Sequence, residues 1–173
     1  MMNRTKQKSN YPIQRYSIYA LLAVILSFIQ FSLLNFVVVQ GISPDLLLIL
    51  CVWIAIREGR FAGTIAGFLI GLTLDIISFD LIGINAFTKT IAGFIAGSFY
   101  EEGKEQLILH GLKFLLIVFI SSFVHNLIYF FFYIKLSDIT FLDFFLKYGV
   151  AFSFYTTVFS VIPMLIKRKE RII

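Results

Sequence analysis

The sequence predicts an all-α polytopic membrane protein with six transmembrane helices and cytoplasmic N- and C-termini. Three observations predict it. Only 14% of the 173 residues are charged and 59% are hydrophobic, whereas a soluble domain averages about 25% charged. The apolar residues fall into six runs parted by short polar segments, and the mean hydropathy is +0.90. The basic residues collect at alternate ends of these runs. On this reading residues 1–17 form a basic cytoplasmic arm, 18–166 the six-span transmembrane domain, and 167–173 a basic cytoplasmic tail.

The first run, Ile18 to Val39, is long enough to cross a bilayer, which takes about 20 residues. It ends in "FVVVQG" rather than in small residues before a cleavage site, so it reads as an uncleaved anchor. The second, Ser43 to Ile56, is short for a crossing. Ser43 suits an N-cap, Pro44 the first helical turn, and Asp45 the positive end of the helix dipole. The third run covers Phe61 to Phe79, and the fourth Ile84 to Tyr100 up to "EEGKEQ". The fifth spans Leu107 to Ile134, and the sixth, Phe141 to Ile166, closes on "KRKER".

Lys and Arg in the short loops set orientation. Six spans place the N-terminal arm, "REGR", "EEGKEQ" and the tail on one side, with eleven of the 15 basic residues. The opposite loops hold only Lys135. Five spans would strand a basic terminus outside. The net charge of +5 is thereby explained by membrane orientation and contact with the lipid bilayer, not by nucleic acid. The single cysteine, Cys51, lies in an apolar run and has no second cysteine to pair with.

The stretch "GTIAGFLIGLTLD" sets Gly63, Gly67 and Gly71 four residues apart, with Asp75 one step further. Such residues share one helix face. The glycines form a groove without side chains, suited to a close right-handed crossing. Gly93 and Gly97 repeat the spacing in the next run. The two glycine faces either pack on each other within the chain or receive a helix of another protein. Asp75, inside an apolar run, needs a helix, a cavity or a counter-ion. Lys89 is the first candidate for an ion pair with it and Lys147 the second, although both lysines can also snorkel to the interface.

His125 and Asn126 sit mid-span in the fifth run. A histidine there suits an interhelical hydrogen bond, a proton relay or a ligand contact. His110 belongs near the cytoplasmic interface. The carboxylates of "EEGKE" read as solvated loop residues. No metal-binding HExxH, nucleophile elbow or phosphate-cradling loop is present. No acid, base and nucleophile assemble, so the sequence predicts no catalytic residues, metal or cofactor, and no enzyme.

The order of features resembles the family of rod shape-determining protein MreD. The matching elements are Pro44, Asp45 and Leu46; a basic turn at Arg57 and Arg60; Gly67, Gly71, Leu72 and Asp75; and Gly83, Asn85 and Ala86. The motif region covers about residues 43 to 100, and the last two runs carry little of it. The resemblance implies a multi-pass protein of the bacterial plasma membrane that scaffolds the cell-wall elongation complex without catalysis. Its family partner is MreC, with MreB, RodA and a penicillin-binding transpeptidase in the same assembly. The family is also similar in architecture to substrate-binding subunits of energy-coupling-factor transporters, which is the alternative. Those carry small-residue docking motifs in the first span, and "YALLAVILSFIQF" has no clear one.

Overall fold

A computed structural model describes residues 12–32, 41–78, 82–134 and 141–166. The basic segments around Arg4 and Lys167, together with Lys135, lie outside these residues. The described chain is helical: α1 Pro12–Ser32, α2 Leu46–Glu58, α3 Arg60–Ser78, α4 Ile84–Gly97, α5 Glu105–Leu109, α6 Leu112–Ile134, α7 Phe141–Asp143, a π-helical segment Phe144–Ala151 and α8 Phe152–Leu165. Each predicted run contains a helix. Four stretches are long and apolar enough to cross a membrane: Gln14–Ser32, Arg60–Ser78, Leu112–Phe132 and Phe144–Leu165.

The other two runs give short helices. α2 has 13 residues and α4 has 14. At 1.5 Å per residue each is about 20 Å long, against a hydrocarbon core of about 30 Å. α2 is apolar all round, and nine of its residues are buried, as expected of a helix enclosed by others. It packs against α3 and α4, and also touches α1, α5, α6 and α8. One cluster of its side chains, including Val52 and Ile56, meets Leu109, Phe114 and Val118. Another, including Leu47 and Cys51, meets Ile70, Leu74 and Tyr19.

α2 passes into α3 through Gly59 alone, whose φ of 96° suits glycine. α3 and α4 form the closest helix pair, and α6 packs on α4 and on α8. α1 stands apart. Val24 is 65% and Phe28 73% exposed, which is the lipid-facing pattern of an outer span. It has a polar attachment at each end: near its start Arg15 donates to both Glu58 oxygens at 2.9 Å and the Tyr19 hydroxyl donates to Glu58 at 2.9 Å, and near its end Gln30 accepts from the first turn of α2. Above the Glu58 attachment α1 and α3 enclose an apolar groove of about 450 Å³ lined by Ala20, Ala23, Ala62 and Ala66 among others.

The bounds differ from expectation in three places. Asp45, not Ser43, is the N-cap of α2, with extended backbone and its side chain accepting from Leu48. The fifth run breaks at His110 and Gly111, separating α5 from α6. The sixth contains the π-helical turns, where the Phe152 N–H reaches the Lys147 carbonyl five residues back.

Candidate functional site

The glycine face of α3 lies directly on α4. A Cβ on Gly63 would stand 2.8 Å from the Gly93 carbonyl oxygen. On Gly67 it would collide with the Lys89 carbonyl, and on Gly71 with Asn85 and Ala86. Gly97 lies against the Arg60 backbone, and the Cys51 sulfur fills the space beside Gly93. Each four-residue step on α3 thus meets a four-residue step on antiparallel α4, and backbone meets backbone. The groove considered for a foreign helix is filled by the chain's own α4.

One further step along the same face stands Asp75. Its Oδ2 accepts from the backbone N–H of Gly83 at 2.9 Å and of Ala86 at 3.0 Å. Its Oδ1 accepts from Asn85 N–H at 3.1 Å. The side chain is fully buried. A helix start leaves four N–H groups without partners, and in lipid each would cost several kcal/mol. The Asp75 carboxylate satisfies three of them, those of Gly83, Asn85 and Ala86, and complements the positive end of the dipole. This explains the spacing of Gly67, Gly71, Asp75, Gly83, Asn85 and Ala86: three steps of close packing, then a cap.

The expected Asp75–Lys89 pair does not form. Both Asp75 oxygens are taken by the start of α4, and Lys89 runs instead to α2, where its Nζ pairs with Asp45 Oδ2. Lys147 is no partner of Asp75 either. It is exposed and lies 5.5 Å from the Tyr148 ring centroid.

Asp45 does for α2 what Asp75 does for α4. Its Oδ1 accepts from Leu48 N–H at 2.8 Å. Gln30 of α1 accepts from Leu46 and Leu47 at 3.1 and 3.3 Å. The Ile49 N–H reaches the Asp45 carbonyl at 3.3 Å, and the Asp45 N–H donates to Thr156 Oγ1 of α8 at 3.2 Å. All four opening N–H groups of α2 have acceptors. Pro44 and Leu46 flank this cap. Gly83, at φ 102°, turns the chain into α4 in a conformation that favours glycine.

A cavity of about 370 Å³ opens between the starts of α2 and α4. Its lining includes Asp45, Lys89, Asn85, Gln30 and His125 together with the aromatic rings of Tyr129, Phe130 and Phe152. His125 is buried, with Nε2 3.4 Å from Lys89 Nζ and 3.6 Å from Asp45 Oδ2. Its Nδ1 is buried beside the α4 backbone at Thr88 without a hydrogen bond of good geometry. Tyr129 stacks on the His125 ring at 5.8 Å. Asn126 turns away to donate to Ser122 and to Ser153 of α8.

Sequence reasoning singled out Asp45, Lys89 and His125 separately but did not join them. Their signal was available as ionisable residues in apolar runs, Asp45 at the start of the second, Lys89 near the start of the fourth and His125 mid-span in the fifth. Gln30 and Thr156 carry no signal in the sequence that sets them apart. Hydroxyls and amides are common in such helices, so composition gives no reason to choose these two. The remaining polar groups are at the opposite end. His110 joins Met164 and Gln106 at 2.7 and 3.2 Å. In the exposed loop, Lys104 donates to Glu101 at 2.7 Å and holds that carboxyl below its ordinary range. The described residues contain no group of three His, Cys, Asp or Glu side chains able to hold a metal.

Neither a curated protein nor a solved structure matches the chain. The family model for rod shape-determining protein MreD matches residues 12–169. The chain therefore belongs to the MreD family, a family of membrane proteins of the rod shape-determining system.

Proposed function

We propose that this MreD-family protein is a non-enzymatic scaffold of the cell-wall elongation complex in the bacterial plasma membrane. It would hold MreC beside RodA and a penicillin-binding transpeptidase, with MreB on the cytoplasmic face. The observation that carries the reading is the family match across residues 12–169. The polar motif residues support it. Asp75 and Asp45, with Gln30 of α1 beside Asp45, are engaged in capping helices within the bundle, which suits a rigid platform. Six crossings with cytoplasmic termini remain the proposed topology. It is supported by Arg15, Arg57, Arg60 and Lys104 gathering at the end opposite the cavity.

With the glycine faces used internally, we assign the partner helix to the groove between α1 and α3. Small residues from both helices line it, and α1 has few other contacts with the bundle. Close approach over small side chains is how helices associate in lipid. Depletion of the protein in a rod-shaped host, with shape and MreC co-purification as readouts, tests the role. Loss of rod shape and of the co-purified MreC–synthase assembly is expected. Intact shape with loss of uptake of a small solute would overturn it in favour of the transporter reading.

A further inference from the structure

We infer that the cavity between the starts of α2 and α4 is a binding site for an uncharged, ring-containing small molecule with hydrogen-bonding edges. The inference does not depend on the scaffold role.

The protein contains its own control. Asp75 caps α4 at full burial with three backbone N–H groups and no lysine. A carboxylate at a helix start in this bundle therefore needs no ammonium beside it. At α2 the capping is likewise complete from Asp45 and Gln30. Yet Lys89, 1% exposed, and His125, 3% exposed, are added there. Burying ionisable groups within a membrane is costly and marks functional sites. These two are surplus to capping, and both line a cavity with room for a ligand.

The lining defines the ligand class. Asp45 and Lys89 balance each other in formal charge, so a charged ligand would have to displace one and leave the other unpaired. A neutral ligand adds hydrogen bonds without disturbing the pair. The ammonium has three N–H donors, and its Asp45 and His125 contacts engage two of its directions. The lining also holds aromatic rings, with Phe130 and Phe152 5.1 Å apart and Tyr129 stacked on His125, and these offer a face for a ring. A volume of about 370 Å³ falls at the lower end of small-molecule sites, about 300–1,000 Å³. Two ring chemistries meet these terms, a sugar ring and a planar heterocycle.

The test uses the full chain in lipid nanodiscs and ligand-detected saturation-transfer NMR. The probes are matched pairs: glucose with glucosamine, nicotinamide with nicotinate, and uracil with orotate. At least one neutral probe is expected to receive saturation, and to bind at least about tenfold more tightly than its charged counterpart. A response from glucose identifies the sugar class, and one from nicotinamide or uracil the heterocycle class. Ser43→Trp, at the lining and outside the caps, should abolish the signal while the unliganded unfolding midpoint stays unchanged. If that midpoint falls, Phe152→Trp serves as the second blocking variant. Absence of saturation for every neutral probe, equal binding of the charged member, or a signal that survives both variants overturns the inference.

Discussion

Lys89 of α4 pairs with Asp45 at the first turn of α2, so one ion pair joins the starts of the two short helices. The lysine is 1% exposed and the aspartate 17%. Side chains on a helix lean toward its N-terminus, which carries the ammonium toward the end where both helices begin. Asp45 also faces the positive end of α2, whereas the second partner of Lys89 is the His125 ring nitrogen, at 3.4 Å. That asymmetry gives the first prediction.

Asp45→Asn keeps a capping oxygen for Leu48 but leaves a buried ammonium without its counter-ion. Such a loss typically costs about 3–5 kcal/mol. Lys89→Met leaves Asp45 on a helix start that still favours its charge, so it should be milder. The double variant should recover most of the Asp45→Asn loss. Folded yield and unfolding midpoint in nanodiscs are the measurements. Equal loss in both single variants with no recovery in the double would show that the pair is not the controlling interaction.

Asp75 behaves differently because its partners are backbone groups. Asp75→Ala leaves three N–H groups without acceptors, each costing about 1–3 kcal/mol when buried. Membrane-inserted protein should fall to a small fraction of wild type. Asp75→Asn keeps one acceptor oxygen and should be intermediate. Adding Lys89→Met to Asp75→Asn should give no relief, since Lys89 pairs with Asp45. Rescue by Lys89→Met, seen in abundance blots, would restore the direct pair that the geometry rejects.

The glycine ladder predicts intolerance to a single methyl. Gly67→Ala places a Cβ against the Lys89 carbonyl, a backbone atom that cannot rotate away. Overpacking costs about 1–3 kcal/mol, and here it also separates α3 from α4 at the residue that holds Asp45. Abundance should fall more than for Phe68→Ala, whose side chain is 48% exposed. Equal tolerance of both substitutions would mean that α3 and α4 do not cross this closely in the membrane.

The ladder was legible because it is local: period four on a helix puts Gly63, Gly67, Gly71 and Asp75 on one face. That Asp75 would be satisfied by N–H groups rather than Lys89 was not legible. Both are plausible donors in lipid, and the choice depends on the sequence-distant register between α3 and α4. The same holds for Lys89 and Asp45, 44 residues apart. The division of the fifth run at His110 and Gly111 was hidden by apolar residues on both sides. The π-helical turns at Phe144–Ala151 leave no periodic signature in a run whose few polar residues, among them Asp143, Lys147, Ser153 and Thr156, are irregularly spaced.

Topology is checked by cysteine accessibility in a Cys51→Ala background. Cys51 is buried, and alanine at its site removes the only native thiol. Glu102→Cys, in the exposed loop before α5, should react with an impermeant maleimide only after the inner face is opened. Ile82→Cys, at a position 77% exposed, should react from outside intact cells. The reverse pattern would invert the orientation.

Ala62 and Gly63 are neighbours in α3 that face different surroundings, and together they separate folding from partner binding. Gly63 meets Ala55 and the Gly93 carbonyl inside the bundle. Ala62 lines the groove toward α1, as does Ala20 of α1. Gly63→Leu should therefore lower the abundance of the protein itself, and any loss of MreC should follow that fall in proportion. Ala20→Leu combined with Ala62→Leu fills a lipid-facing groove without touching α4. Lipid can yield to the added side chains, but a closely packed helix cannot. The double variant should accumulate normally while co-purified MreC drops by about tenfold, the equivalent of 1.4 kcal/mol. Cells carrying it should lose rod shape despite normal protein levels. Normal shape and normal MreC recovery with the groove filled would place the partner on another surface of the bundle.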